Sequence, residues 1–137
     1  MRFLVIVKAT KQSEAGEMPG EKVLGEMAKF NDQLVKAGVM LDGGGLTPSS
    51  QGKRITFEGG KRTVIDGPFA ETKELIAGYW LIQAKSMDEA VEWARRAPMD
   101  ADGRDAQVEI RRLFELEDFQ PSPAIDAHRE VEKQLKK

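Results

Sequence analysis

An α+β fold, an antiparallel sheet carrying two helices in the chain order β-α-β-β-α-β, is what this sequence predicts. Three observations carry that prediction. Two segments with helical spacing of apolar residues each carry start and stop signals. Short apolar, β-branched runs flank both of them. Between the second and third runs, Gly59-Gly60 joins two polar-apolar segments, which is the signature of an inserted hairpin.

The elements follow in order. Phe3 to Val7 is a short apolar run, rich in β-branched residues, that suits a central strand covered on both faces. A polar loop follows. Pro19 and Glu21 then open a helix in which Val23, Met27, Phe30, Leu34 and Ala37 recur at spacings of three and four, until Gly38 ends it. Val39 to Leu46 reads as a strand running through Gly43-Gly44-Gly45, and Thr47 to Gly52 as a loop. Lys53 to Glu58 and Lys61 to Asp66 are the arms of the hairpin, with Ile55 and Phe57 alternating with polar neighbours. Ile76 to Ala84 is the next strong strand. Ser86-Met87-Asp88-Glu89 is a capping box for a second helix that turns Ala90, Val91, Ala94 and Ala97 inward. Arg95 and Arg96 suit that helix's C-terminus, and Pro98 stops it. Residues 99–106 form a polar loop, and Val108 to Glu115 a last strand.

Removing the hairpin leaves the split arrangement known as ferredoxin-like. Leu4 and Ile6 point away from Phe3, Val5 and Val7, yet both sets are apolar, so the sheet face opposite the helices needs a cover. Two sheets placed face to face would supply it, which points to a homodimer. Residues 120–137 form a tail in which Pro121 and Pro123 break the chain and Ile125, His128, Val131 and Leu135 mark an amphipathic helix.

With 137 residues, one domain and one core are expected. The charge of -2 provides no field to hold nucleic acid or an anionic membrane. With no cysteine, disulfides, thiolate nucleophiles and Cys-based metal sites are excluded. No metal or other cofactor is indicated, because the single histidine, His128, lies in the tail. Gly43-Gly44-Gly45 and Gly52-Lys53 match neither a dinucleotide nor a phosphate-binding loop. The five-residue apolar run at the N-terminus reads as strand rather than signal peptide, and no stretch approaches a bilayer span, so a cytoplasmic location is expected.

The candidate site centres on Asp66-Gly67-Pro68-Phe69, a chain reversal followed by the charged segment Glu71 to Glu74. Asp66 would serve as a general acid or base if the fold desolvated it. In an Asx-type turn it would instead accept backbone N–H groups. Glu71, Lys73 and Glu74 either bracket a polar ligand, with Lys73 as its contact, or form a solvated patch. Tyr79 and Trp80 point to opposite faces of their strand, and Tyr79 is the one to offer a hydroxyl or aromatic wall to a ligand. Glu109 and Arg111 share a face of the last strand, where they either pair between subunits or anchor a substrate; Asp42 is a weaker candidate of the same kind.

The run Asp66-Gly67-Pro68-Phe69-Ala70-Glu71-Thr72-Lys73-Glu74, followed by Gly78-Tyr79, resembles the hallmark of DGPF-domain proteins, a branch of the YCII-related family. Ala37-Gly38-Val39, Gly45-Leu46, Pro48, Glu89-Ala90, Trp93-Ala94 and Val108-Glu109-Ile110-Arg111 extend the resemblance over residues 1–119. It implies a dimeric α/β barrel, relatives that are enzymes built on a His-Asp pair, and proteins encoded beside extracytoplasmic-function sigma factors. In this chain the first helix carries Lys29, Phe30, Asn31 and Asp32 where that histidine would be sought, and Gly44 and Thr47 replace further polar positions, so a His-Asp pair is not expected. Two functions are therefore expected to compete. One is an enzyme acting on a small polar or aromatic metabolite with Asp66 as acid or base. The other is a dimer that binds a ligand or regulates without chemistry, associated with such a sigma factor system.

Overall fold

The computed structural model describes residues 1–136. Strands β1 (Arg2–Lys8), β2 (Met40–Gly45), β5 (Ile76–Gln83) and β6 (Val108–Arg112) form one antiparallel sheet in the order β2-β5-β1-β6. With α2 (Glu21–Lys36) after β1 and α3 (Met87–Ala94) after β5, this is the ferredoxin-like α+β arrangement. Strands β3 (Lys53–Glu58) and β4 (Lys61–Asp66) pair only with each other in a second sheet, the added hairpin. Its turn puts Gly59 at φ 59° and Gly60 at φ 77°, two successive left-handed residues that a side chain would strain.

The pleat sorts the main sheet into two faces. Phe3, Val5, Trp80 and Ile82 point toward the helices and are buried with Phe30 and Leu34 of α2 and Ala90 and Ala94 of α3. The Trp80 ring meets Phe30 edge-on at 5.4 Å, and its indole N–H donates to Asn31 Oδ1 at 2.8 Å. Asn31 therefore serves the core in the part of α2 where a catalytic histidine would be sought. On the opposite face the register aligns Gly44, Tyr79, Ile6 and Glu109 in one row and Asp42, Leu81, Leu4 and Arg111 in the next. Leu4, Ile6 and Leu81 are only half-buried there, as the patterning argument requires.

Three local features differ from expectation. The polar loop after β1 contains a short helix, α1 (Lys11–Glu14), because Thr10 and Ser13 cap each other reciprocally. Pro19 stays outside α2, which Gly20 caps without a side chain. β6 stops at Arg112 because Glu115 and Asp118 close a 3-10 turn instead of continuing the ladder. The tail does form a helix, α4 (Pro123–Leu135), started by the Ser122 hydroxyl accepting from the Ile125 N–H. No helix among the described residues is long and apolar enough to cross a membrane.

Candidate functional site

The residues singled out by sequence fall into separate pairs. Asp66 ends β4, is exposed, and pairs with Lys53 directly across the hairpin. That pairing follows from register, and an ion pair in solvent adds about 0–1 kcal/mol. Asp66→Asn is expected to move the urea midpoint by less than the equivalent of about 1 kcal/mol, a change that equilibrium denaturation resolves. Tyr79 projects from the open face and donates its hydroxyl to Asp42 at 3.1 Å. This bond, and then the carboxylate's charge, hold the phenol above its ordinary pKa, which favours a protonated donor over a phenolate nucleophile. Glu109 and Arg111 also reach the open face and pair with each other at 3.4 Å. Lys73 is exposed on a 3-10 turn, Thr72–Glu74.

The Asp66-Gly67-Pro68-Phe69 turn is instead fastened to the loop before the hairpin. Gly67 N–H donates to the Gly52 carbonyl at 3.0 Å. A β-carbon on Gly67 would stand 1.8 Å from the Ser49 carbonyl oxygen, so this close approach requires glycine. Phe69 N–H donates to Ser49 Oγ at 3.1 Å, and the Phe69 ring lies under the Arg54 guanidinium at 3.8 Å. Ser49 in turn donates its hydroxyl to Glu14 Oε1 and its backbone N–H to Oε2 at 2.9 Å.

A broad concavity lies elsewhere. A cleft of about 860 Å³ opens at the end of the sheet between three stretches of chain: residues 7–23, 45–51 and 99–106, with Ala77 at its base. Its apolar lining includes Val7, Met18, Val23, Leu46 and Met99, and Met18 and Leu46 are 82% and 49% exposed. Its charged lining is balanced, Lys8, Lys22 and Arg104 against Glu17, Asp102 and Asp105. Arg104 pairs with Glu17 at 2.8 Å and with Asp102 at 3.8 Å, whereas Lys8, Lys22 and Asp105 enter no ion pair among the described residues. None of Asp66, Lys73, Tyr79, Glu109 and Arg111 lines this cleft. Among the described residues no cluster of acidic and histidine side chains could hold a metal ion.

Sequence reasoning did not single out the cleft. Its walls come from loops that carry no periodicity. The signals were the Thr10-x-x-Ser13 capping pair and an unexplained Met18 beside Pro19-Gly20.

Comparison with known proteins places this geometry in a family. An uncharacterized protein of Rhizobium meliloti (strain 1021) is 36% identical over 75 residues, which are 55% of this chain and 60% of that protein. The match thus spans about 60% of that relative's length. The solved 5-chloro-2-hydroxyhydroquinone dehydrochlorinase of Burkholderia phenoliruptrix AC1100, in complex with 2,5-dihydroxybenzoquinone, superposes with a TM-score of 0.44 at 16% identity, covering 83% of this chain and 94% of that one. Residues 1–114 match the YCII-related domain, with the Asp66-Gly67-Pro68-Phe69 turn inside the matched span. The chain belongs to the YCII-related domain family.

Proposed function

We propose that the protein binds a small, partly apolar molecule bearing polar groups in the cleft beside α1, and 2-naphthoate serves as its probe. The observation that carries this reading is the cleft itself: about 860 Å³, within the range of small-molecule sites, with solvent-exposed Met18 and Leu46 on its walls and, among the described residues, the unpaired charges Lys8, Lys22 and Asp105. Binding without chemistry is favoured over catalysis because Asp66, the candidate acid or base, is exposed, paired with Lys53 and absent from the cleft lining. A sensing role beside a transcription system fits this reading.

The experiment is a titration with 2-naphthoate followed by amide chemical-shift mapping. Shifts are expected at Gly16, Gly20, Gly45 and Leu46, unchanged in Asp66→Asn and reduced in Lys8→Gln/Lys22→Gln. Shifts confined to Tyr79, Glu109 and Arg111 would move the site to the open sheet face, and turnover lost in Asp66→Asn would restore the catalytic reading.

The half-buried row of Leu4, Ile6 and Leu81 supports a homodimer that covers this face. Glu109 and Arg111 would then lie within or beside the interface, paired as they already are. Light scattering at micromolar concentration is expected to give twice the chain mass, and a monomeric mass would refute the dimer.

A further inference from the structure

We infer that Glu14 and Ser49 are positioning residues that set the opening of the cleft by tying its α1 wall to the Asp66–Phe69 turn. The inference rests on the cleft being the ligand site, though the tie can be measured without a ligand. α1 has four residues and none of them is buried, so it has neither length nor a packed face to hold it in place. Its stability must come from its ends. At the N-terminus, Thr10 and Ser13 satisfy each other's orphan groups. At the C-terminus, Glu14 accepts both the backbone N–H and the hydroxyl of Ser49, 35 residues away in sequence.

Ser49 is the joint because one hydroxyl is used twice. It donates to Glu14 and accepts from the Phe69 N–H, so the order of the turn reaches α1 through a single residue. Gly67 adds a steric stop, since its backbone already rests against the Ser49 carbonyl. The residues on either side of this joint are cleft residues. Thr10, Gln12, Ser13 and Gly16 line one wall, and Pro48 and Gln51 the other. Loosening Glu14 from Ser49 therefore frees two walls of the same cleft at once.

The test is hydrogen exchange on the full chain in Ser49→Ala, which keeps only the backbone N–H bond to Glu14, and in Glu14→Ala, which removes both bonds, with Ser49→Thr as the conservative variant that keeps the hydroxyl. Ser49→Ala is expected to speed exchange about fivefold or more both at the Phe69 amide and at the amides of Ala15, Gly16 and Glu17, while the β1 and β5 amides stay protected. Ser49→Thr is expected to return both groups toward the parent rates. Faster exchange at Phe69 in Ser49→Ala with unchanged exchange at Ala15 to Glu17 in both Ser49→Ala and Glu14→Ala would overturn the inference, leaving Ser49 a residue of the turn alone. A second arm titrates 2-naphthoate: weaker binding in Ser49→Ala supports the role in the cleft, and equal binding overturns it. If the parent protein does not bind 2-naphthoate, the ligand reading fails by that measurement, while the exchange arm still decides whether the tie exists.

Discussion

Replacing Gly67 with alanine is expected to lower stability by about 1–3 kcal/mol and to release the Phe69 amide to exchange. The added methyl would fall 1.8 Å from the Ser49 carbonyl oxygen, with the Gly52 carbonyl at 3.4 Å, and both obstacles are backbone rather than a flexible side chain. Something in the Ser49–Gly52 turn must therefore move. Moving it also strains the Gly67 N–H bond to Gly52 and the Phe69 N–H bond to Ser49. Gly25→Ala is the matching control. Gly25 sits in α2 with nothing within 4 Å of a new β-carbon, so there alanine is expected to stabilise by up to about 1 kcal/mol through helix propensity. Urea midpoints shifting in opposite directions would separate the steric argument from a general intolerance of substitution. Equal shifts would show that Gly67 is not held as closely as the geometry says.

Phe3→Ala is expected to cost about 3–5 kcal/mol, the range for removing a large aromatic from a packed interior. Phe3 is 1% exposed on β1, one of the two strands hydrogen-bonded on both sides, where it is paired with Ile82 of β5. Its loss would leave a void beneath α2 and α3 that Ile82 and Leu34, both also 1% exposed, have no free volume to fill. A domain stable by about 5–15 kcal/mol loses roughly a fifth to all of its margin on this change. The corresponding substitution on the other face, Leu4→Ala, removes a half-buried side chain and is expected to cost less in a monomer. In a dimer that uses this face, Leu4→Ala would also weaken association, so the concentration dependence of thermal unfolding distinguishes the two variants.

The strands and main helices were legible because each is decided by its own few residues. Val23, Met27, Phe30 and Leu34 repeat with one period, and Gly59-Gly60 fixes the hairpin register so firmly that Lys53 meets Asp66 at its far end. The placement of Glu109 and Arg111 on the open face also followed from alternation alone. The partner of Tyr79 did not, because Asp42 comes into reach through a register shift between Met40 and Asp42. The Glu14–Ser49 tie was illegible for a related reason. Its geometry depends on two turns that carry no periodic signal, and a Ser–Glu pair 35 residues apart looks like any other in a sequence. The motif richest in charge proved to be an anchoring turn, while the cleft was built from residues that attract no notice singly.

Ion pairs hold the turn at residues 115–118 and the helix that follows it. Arg2 grips Glu115 with two hydrogen bonds, Arg112 holds Asp118 at 3.0 Å, and Arg129 of α4 reaches Glu117 at 3.2 Å. Val131 and Leu135 on the same helix remain 59% and 84% exposed. The core is held by apolar packing, which added salt does not weaken, whereas these ion pairs lose strength as the screening length shortens. Added salt is therefore expected to loosen the contact of α4 with the 115–118 turn sooner than the apolar packing around Phe3 and Leu34.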